Sequence, residues 1–421
     1  MNSKKQGGSG ENVDLYDVLI RGKRMTLNER LAYFSDIYND SNDKQQNFYS
    51  RQMLSAADRE VLVMDPFTGR PKKMLMFGSN NYLGLATHPH VCEMVRKTIR
   101  KYGVGIGGPP LLNGYTKLIR ELEERLSFLK HTEDTLIFSS GYSTNLGLIS
   151  GLTGPGDIVI YDEYSHASFC DGIKLAKVNK HMFHHNNIDE LKTKLQDRNG
   201  DSIFVGVEGV YSMDGDLAPL DIIVPLCRDN NATLLVDDAH GTGVLGDHGG
   251  GTSEYFGESA GIDINMGTFS KVFAMTGGFV SASKPVINYL RFFARSYMFS
   301  ASLPPVVVAA VLAGLDVIEK EPERRQLLLD NVSYAAGRLR KFGFVTEPKA
   351  GIISLRIPEN MNIREAANYF HNAGIFLNAI EYPAVPVREQ RFRISVMSTH
   401  TRDDINKLTE CVEEIWSKFI V

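Results

Sequence analysis

Between residues 90 and 280, short apolar runs alternate with stretches of helical periodicity. The runs at 135–138, 157–161, 203–208 and 233–238 are rich in β-branched residues and carry few charges. Runs of that kind read as strands buried on both faces. Between them lie amphipathic segments, the clearest at 116–129, with Glu and Arg on its outer face. Strand–helix alternation of this sort predicts βαβ units in a doubly wound, mostly parallel sheet, an α/β fold. Ahead of it, 61–64 and 74–77 flank a turn rich in Pro and Gly and predict a hairpin. Apolar positions Leu15, Val18, Leu19, Leu27, Leu31 and Phe34 predict helices within 13–60. Residues 1–12 are polar, lack such a pattern, and read as disordered. Beyond 304 the pattern predicts long helices to 345. Strands at 352–357 and 392–395 then mix with helices at 364–373 and 402–419. The expected organisation is an N-terminal arm (1–60), a large domain (61–305) and a smaller C-terminal α/β domain (306–421).

Composition narrows the function. The 421 residues are 43% hydrophobic and 23% charged, with a net charge of −4. That is a globular composition without the basic field that nucleic acid requires. No apolar run is long enough for a transmembrane segment, and the N-terminus lacks the apolar core of a signal peptide. Cys92, Cys170, Cys227 and Cys411 are scattered with no CxxC spacing, so reduced thiols and a cytoplasmic location are expected.

The chemistry gathers at strand ends. Gly267-Thr268-Phe269-Ser270-Lys271 presents one lysine in a turn of small and hydroxyl residues. A lysine so placed suits a Schiff base to pyridoxal 5'-phosphate (PLP), with the hydroxyls and backbone N–H groups near the phosphate. Asp237 ends an apolar strand, where open α/β sheets bind ligands. It could pair with a pyridine nitrogen or simply cap the next helix. His240, three residues on, could reach the phenolic oxygen or be structural. Ser139-Ser140-Gly141-Tyr142 begins a helix, whose backbone N–H groups favour phosphate. His166 could lie against a cofactor ring, though a capping role explains it as well. GVGIGG at 103–108 imitates a dinucleotide loop, but a charged helical segment precedes it instead of a strand. His181, His184 and His185 lack paired cysteines or an acidic ligand pattern, so no metal is expected.

Five blocks then stand in order: FGSNNYLGL at 77–85, DEYSHAS at 162–168, EGVYSMDGD at 208–216, VDDAHGTG at 236–243 and GTFSK at 267–271. On these blocks the sequence resembles the α-oxoamine synthase family of fold-type-I PLP-dependent enzymes, over roughly residues 50–420. The resemblance implies a large PLP-binding domain and a C-terminal small domain. It makes Lys271 the Schiff-base lysine, Asp237 the pyridinium partner, His240 and Ser212 the neighbours of the phenolic oxygen, and His166 the stacking residue. Gly141, Tyr142, Thr268 and Ser270 match positions around phosphate and ring. Arg391 and Arg393 share a strand face and spacing alone leaves both open. The resemblance selects Arg393 for the substrate carboxylate, with Asn81 also in the substrate region.

The implied reaction is a decarboxylative condensation of an amino acid with an acyl-CoA or acyl carrier protein thioester. The freed lysine removes the α-proton, and an α-amino ketone is released. The serine palmitoyltransferase-like group is favoured. An 8-amino-7-oxononanoate synthase is the nearest rival, and a specialised-metabolite synthase a further one. A non-catalytic partner subunit would be expected to lack Lys271. A homodimer is implied, with 299–305 reaching the partner's cofactor. Two departures fall near the substrate. Pro109-Pro110 stiffens the loop after the glycines. Glu381 stands where several relatives carry Arg, and one expectation is that it pairs with a cationic amino-acid side chain such as arginine's.

Overall fold

The protein is described by a computed structural model covering residues 15–196, 202–258 and 261–418. The disorder expected for 1–12 lies outside the described residues. The arm forms two helices, Leu15–Gly22 and Leu27–Asp43. The second starts at a capping box in which Thr26 and Glu29 satisfy each other's backbone N–H groups. A hairpin follows, β1 (Glu60–Met64) with β2 (Pro71–Met76).

The central sheet has seven strands. They are β3 (Asp134–Phe138), β4 (Ile158–Asp162), β5 (Asn179–Phe183), β6 (Ile203–Glu208), β7 (Thr233–Asp237), β8 (Ile264–Thr268) and β9 (Gly278–Ala282). Their order is β3-β9-β8-β7-β6-β4-β5, and only β9 runs antiparallel to its neighbours. All six residues of β6 are buried, as the apolar run demanded. Alternate side chains serve opposite layers. Ile137 joins a core with Val311 and Leu126, whereas Leu136 and Phe138 join one with Leu148. Helix Pro305–Lys320 is buried almost all round and leads into the C-terminal region. That region holds β10 (Ile352–Arg356), β11 (Ile375–Phe376), β12 (Asn378–Ile380) and β13 (Arg391–Ser395). One sheet runs β10-β13-β12. In the other, β11 lies parallel to β2, so the hairpin expected in the large domain shares its sheet with the C-terminal region. Among the described residues no helix is long and apolar enough to cross a membrane.

Candidate active site

The carboxyl ends of β3, β4, β6, β7 and β8 open onto one cavity of about 290 Å³. This is where a parallel sheet collects ligand-binding loops. Gly141, Tyr142, His166, Ser212, Asp237, His240, Thr268, Ser270 and Lys271 all line it.

Asp237 is the last residue of β7 and is 9% exposed. Its carboxylate accepts Nδ2–H of Asn145 at 2.8 Å and the Ala239 N–H at 3.2 Å. Burial still raises its pKa above the usual carboxylate value. Lys271 follows β8 in a turn closed by the Ala274 N–H on the Lys271 carbonyl, 2.9 Å, with Ala274 at φ 52°. Burial, helped by the nearby Arg393 charge, lowers the Lys271 amine to about 8. Its Nζ lies 3.1 Å from Nε2 of His240. Burial and the cations around it push His240 well below its ordinary value, so the ring is neutral. His166 caps helix Ala167–Ala176 through Nδ1 and lines the cavity as well. Ser168 continues from it to Asn145, and Asn145 to Asp237.

Another wall is the start of helix Gly141–Leu152, where Ser140 and Ser143 form a capping box. A Cβ on Gly141 would fall 2.8 Å from Thr268 Oγ1, so only glycine leaves the space between these walls. Thr268 Oγ1 also lies 3.0 Å from Ser270 Oγ. A helix N-terminus with converging hydroxyls suits a phosphate. A buried acid in the same cavity suits a pyridinium, and a lysine of lowered pKa there suits a carbonyl carbon. The residues present therefore fit PLP. Helix N-terminus, Thr268 and Ser270 would hold its phosphate, Asp237 its ring nitrogen, and Lys271 its aldehyde carbon.

The two arginines on β13 separate cleanly. Arg391, 3% exposed, pairs with Asp214 and with Glu389. Arg393, 5% exposed, meets only neutral groups: the Ser212 carbonyl at 2.6 Å, Asn80 Oδ1 at 3.1 Å, Ser395 and Tyr82. Among the described residues no carboxylate neutralises it.

Two substrate expectations need correction. Glu381 does not line the cavity, and both its oxygens are taken. Tyr49 donates to one at 2.8 Å and Arg364 to the other at 3.0 Å. Burial beside an internal cation has already used the charge that was expected to meet a substrate. Asn81 is likewise turned inward. Its Nδ2–H donates to the Ala57 carbonyl and its Oδ1 accepts the Ala86 N–H, so it fastens two loops. Its neighbour Asn80 is the one that faces Arg393. Of the three histidines, His185 bridges Asp162 at 3.1 Å and Asp216 at 2.8 Å. Burial opposes its charge, but those hydrogen bonds outweigh it and raise it to about 9.

Sequence reasoning missed Glu208, Asn145, Asn80 and Tyr82. Glu208 had a usable signal, since it ends a strand as Asp237 does. The two are directly opposite in register on β6 and β7. Burial first, and the Asp237 charge second, raise Glu208 well above a normal carboxyl. One oxygen accepts the Ser212 N–H at 3.1 Å and the other has no partner.

Comparison with known proteins agrees with this geometry. The profile of the family "Aminotransferase class I and II" matches residues 72–412. An 8-amino-7-oxononanoate synthase of Lysinibacillus sphaericus is 41% identical over 366 residues, 86% of this chain and 93% of the relative. A serine palmitoyltransferase of Sphingobacterium spiritivorum is 38% identical over 394 residues, 93% of this chain and 97% of the relative. The structure of a serine palmitoyltransferase from S. paucimobilis superposes with a TM-score of 0.88 at 29% identity, over 94% of this chain and 99% of that one. On the matched cavity, the family profile and these near-full-length relatives, the chain belongs to the aminotransferase class I and II family, in its α-oxoamine synthase branch of PLP-dependent acyltransferases.

Proposed function

We propose that the protein joins the α-carbon of a small amino acid, serine in the leading reading, to the acyl carbon of a long-chain thioester. Thiol and carbon dioxide leave, and an α-amino ketone is the product. The observation that carries this reading is Arg393, a buried guanidinium with no carboxylate partner among the described residues, near a lysine lowered to about 8. A buried cation without a counter-ion is costly unless a ligand supplies one, and an amino-acid carboxylate does so bidentately.

PLP, when bound, supplies the electron sink for charge developing at the amino acid's α-carbon. The chain's own groups do the rest. Asp237, at the end of β7, would pair with the ring nitrogen and favour its proton. Arg393, supported by Asn80, fixes the substrate carboxylate. The Lys271 amine, lowered to about 8 and so half deprotonated near that pH, takes the α-proton and returns it. His166, in the cavity lining, would orient the amino acid. For the acyl donor, a second cavity of about 930 Å³ adjoins the first through Ser212. Tyr164, Met182, Met213, Tyr382 and Val385 give it an apolar lining suited to an acyl chain. A second copy of the chain would pack against Leu112 and Phe299, whose 82% and 71% exposure beside Pro109 supports this reading. A cytoplasmic location is supported by four free cysteines.

The serine palmitoyltransferase-like reading is supported by the longer match to the Sphingobacterium enzyme and by the fold likeness. The 41% identity of the oxononanoate synthase favours alanine as second reading. The test is the visible absorbance of PLP-loaded protein titrated with single amino acids, followed by thiol release from acyl-CoA and acyl carrier protein donors of graded length. A response to serine with long chains supports the proposal. A response to alanine alone selects the second reading, and no response to any amino acid defeats both.

A further inference from the structure

We propose that Tyr82 is a positioning residue for this reaction, its hydroxyl deciding which nitrogen of His240 carries the proton that faces Lys271. The inference builds on Lys271 as the reacting amine. Tyr82 is fully buried in the loop after β2. Its N–H donates to the Asn80 carbonyl at 2.8 Å and its carbonyl accepts the Ser398 N–H at 2.7 Å. A Cβ on Gly351 would sit 2.5 Å from the Tyr82 ring, so the ring is packed against that backbone. The hydroxyl is thereby held 2.8 Å from His240 Nδ1 and 3.1 Å from Asn80 Oδ1. On the far side of the imidazole, Nε2 lies 3.1 Å from Lys271 Nζ.

His240 is enclosed by Lys271, Arg393 and His166 and stays neutral. A neutral imidazole has one donor and one acceptor, so the two ends of this chain are tied. A neutral Lys271 amine has a lone pair free, so Nε2–H can donate to it, and Nδ1 then accepts the Tyr82 proton. With a charged Lys271, the ammonium donates to Nε2, Nδ1–H donates to the Tyr82 oxygen, and Tyr82 turns its own proton to Asn80. A hydroxyl serves both arrangements because it both gives and accepts. Burial raises the Tyr82 phenol to about 12, so that proton is retained. Phenylalanine would leave Nδ1 buried without a partner in either arrangement.

The test uses protein without cofactor, labelled with 15N-histidine, and follows the two nitrogens of His240 from pH 6 to 10. Wild type is expected to exchange one tautomer for the other as Lys271 titrates. Y82F is expected to lose that exchange and show mixed tautomers at every pH. In the PLP-loaded enzyme its kcat falls by about 10- to 100-fold while the amino-acid KM stays near wild type. Identical nitrogen shifts in Y82F and wild type overturn the proposal. Should Y82F unfold, Asn80→Ala carries the test, because the ring remains. It removes the acceptor needed when Lys271 is charged, so Nε2–H should persist to lower pH, and an unmoved transition overturns the proposal. Failure of the enzyme reading itself would appear separately, as PLP-treated protein without visible absorbance.

Discussion

Arg391 and Arg393 stand two residues apart on one face of β13, both nearly buried, yet their surroundings are opposite. Around Arg391 several buried charges meet their complements. Asp214 and Glu389 take the guanidinium, Asp162 and Asp216 take His185, and Arg364 takes Glu381. Around Arg393 the charges stand apart. The guanidinium touches only neutral groups, burial raises Glu208 well above a normal carboxyl, and Lys271 is lowered toward neutrality. Ion pairs closed within the chain hold the fold and offer a ligand little. Buried charges left open cost stability and gain it back when a substrate or cofactor arrives.

The comparison breaks first at Arg391. Arg391→Met strands Asp214 as a buried, unpaired carboxylate, and should cost about 3–5 kcal/mol in denaturant unfolding with the amino-acid KM near wild type. Arg393→Met should do the reverse. Stability holds or rises, because a lone buried cation is removed, while kcat/KM for the amino acid drops roughly 100-fold. Equal effects of the two substitutions on KM would erase the distinction.

Glu381→Gln keeps the shape and removes the charge facing Arg364. It should destabilise by about 1–3 kcal/mol and leave amino-acid preference unchanged. A switch in the use of cationic amino acids would restore Glu381 to the substrate.

Lys271 gives a pH signature in cofactor-free protein. It titrates near 8 when folded, against about 10.4 unfolded. Between those values the unfolded chain binds more protons, so stability rises with pH. The gain is complete above the unfolded value and lost as pH falls to 8. Melts of wild type and Lys271→Met from pH 7 to 11 should differ by this rise alone. The smallest effect belongs to the turn. Ala274→Gly relieves a left-handed backbone at φ 52° and should stabilise by about 1 kcal/mol, read as a raised Tm.

Much of the framework was legible in the chain. The runs at 203–208 and 233–238 coincide with β6 and β7 because strands buried on both faces admit few polar residues. β5 escaped notice because Asn179, Lys180 and Met182 are exposed at the sheet edge, where burial imposes no apolar pattern. β8 and β9, INMGT and GFVSA, carry small residues that propensity does not favour in strands. Gly267 is kept small by the Phe279 ring, which a Cβ there would meet at 2.4 Å. In the site, Lys271, Asp237 and His240 were readable because each sits in a short segment whose neighbours set its conformation.

By itself, then, the sequence determined the strand–helix alternation and the lysine-bearing turn, since both are written in residues a few positions apart. Tertiary structure alone decided that Arg391 is neutralised and Arg393 is open. It also turned Asn80 rather than Asn81 to the site, closed Glu381 on Arg364 and Tyr49, and set Tyr82 against His240, 158 positions away. Those outcomes depend on which charge or hydroxyl the folded chain brings alongside. No local periodicity encodes a partner so distant, and in a low-dielectric interior the partner determines what a charge is free to do.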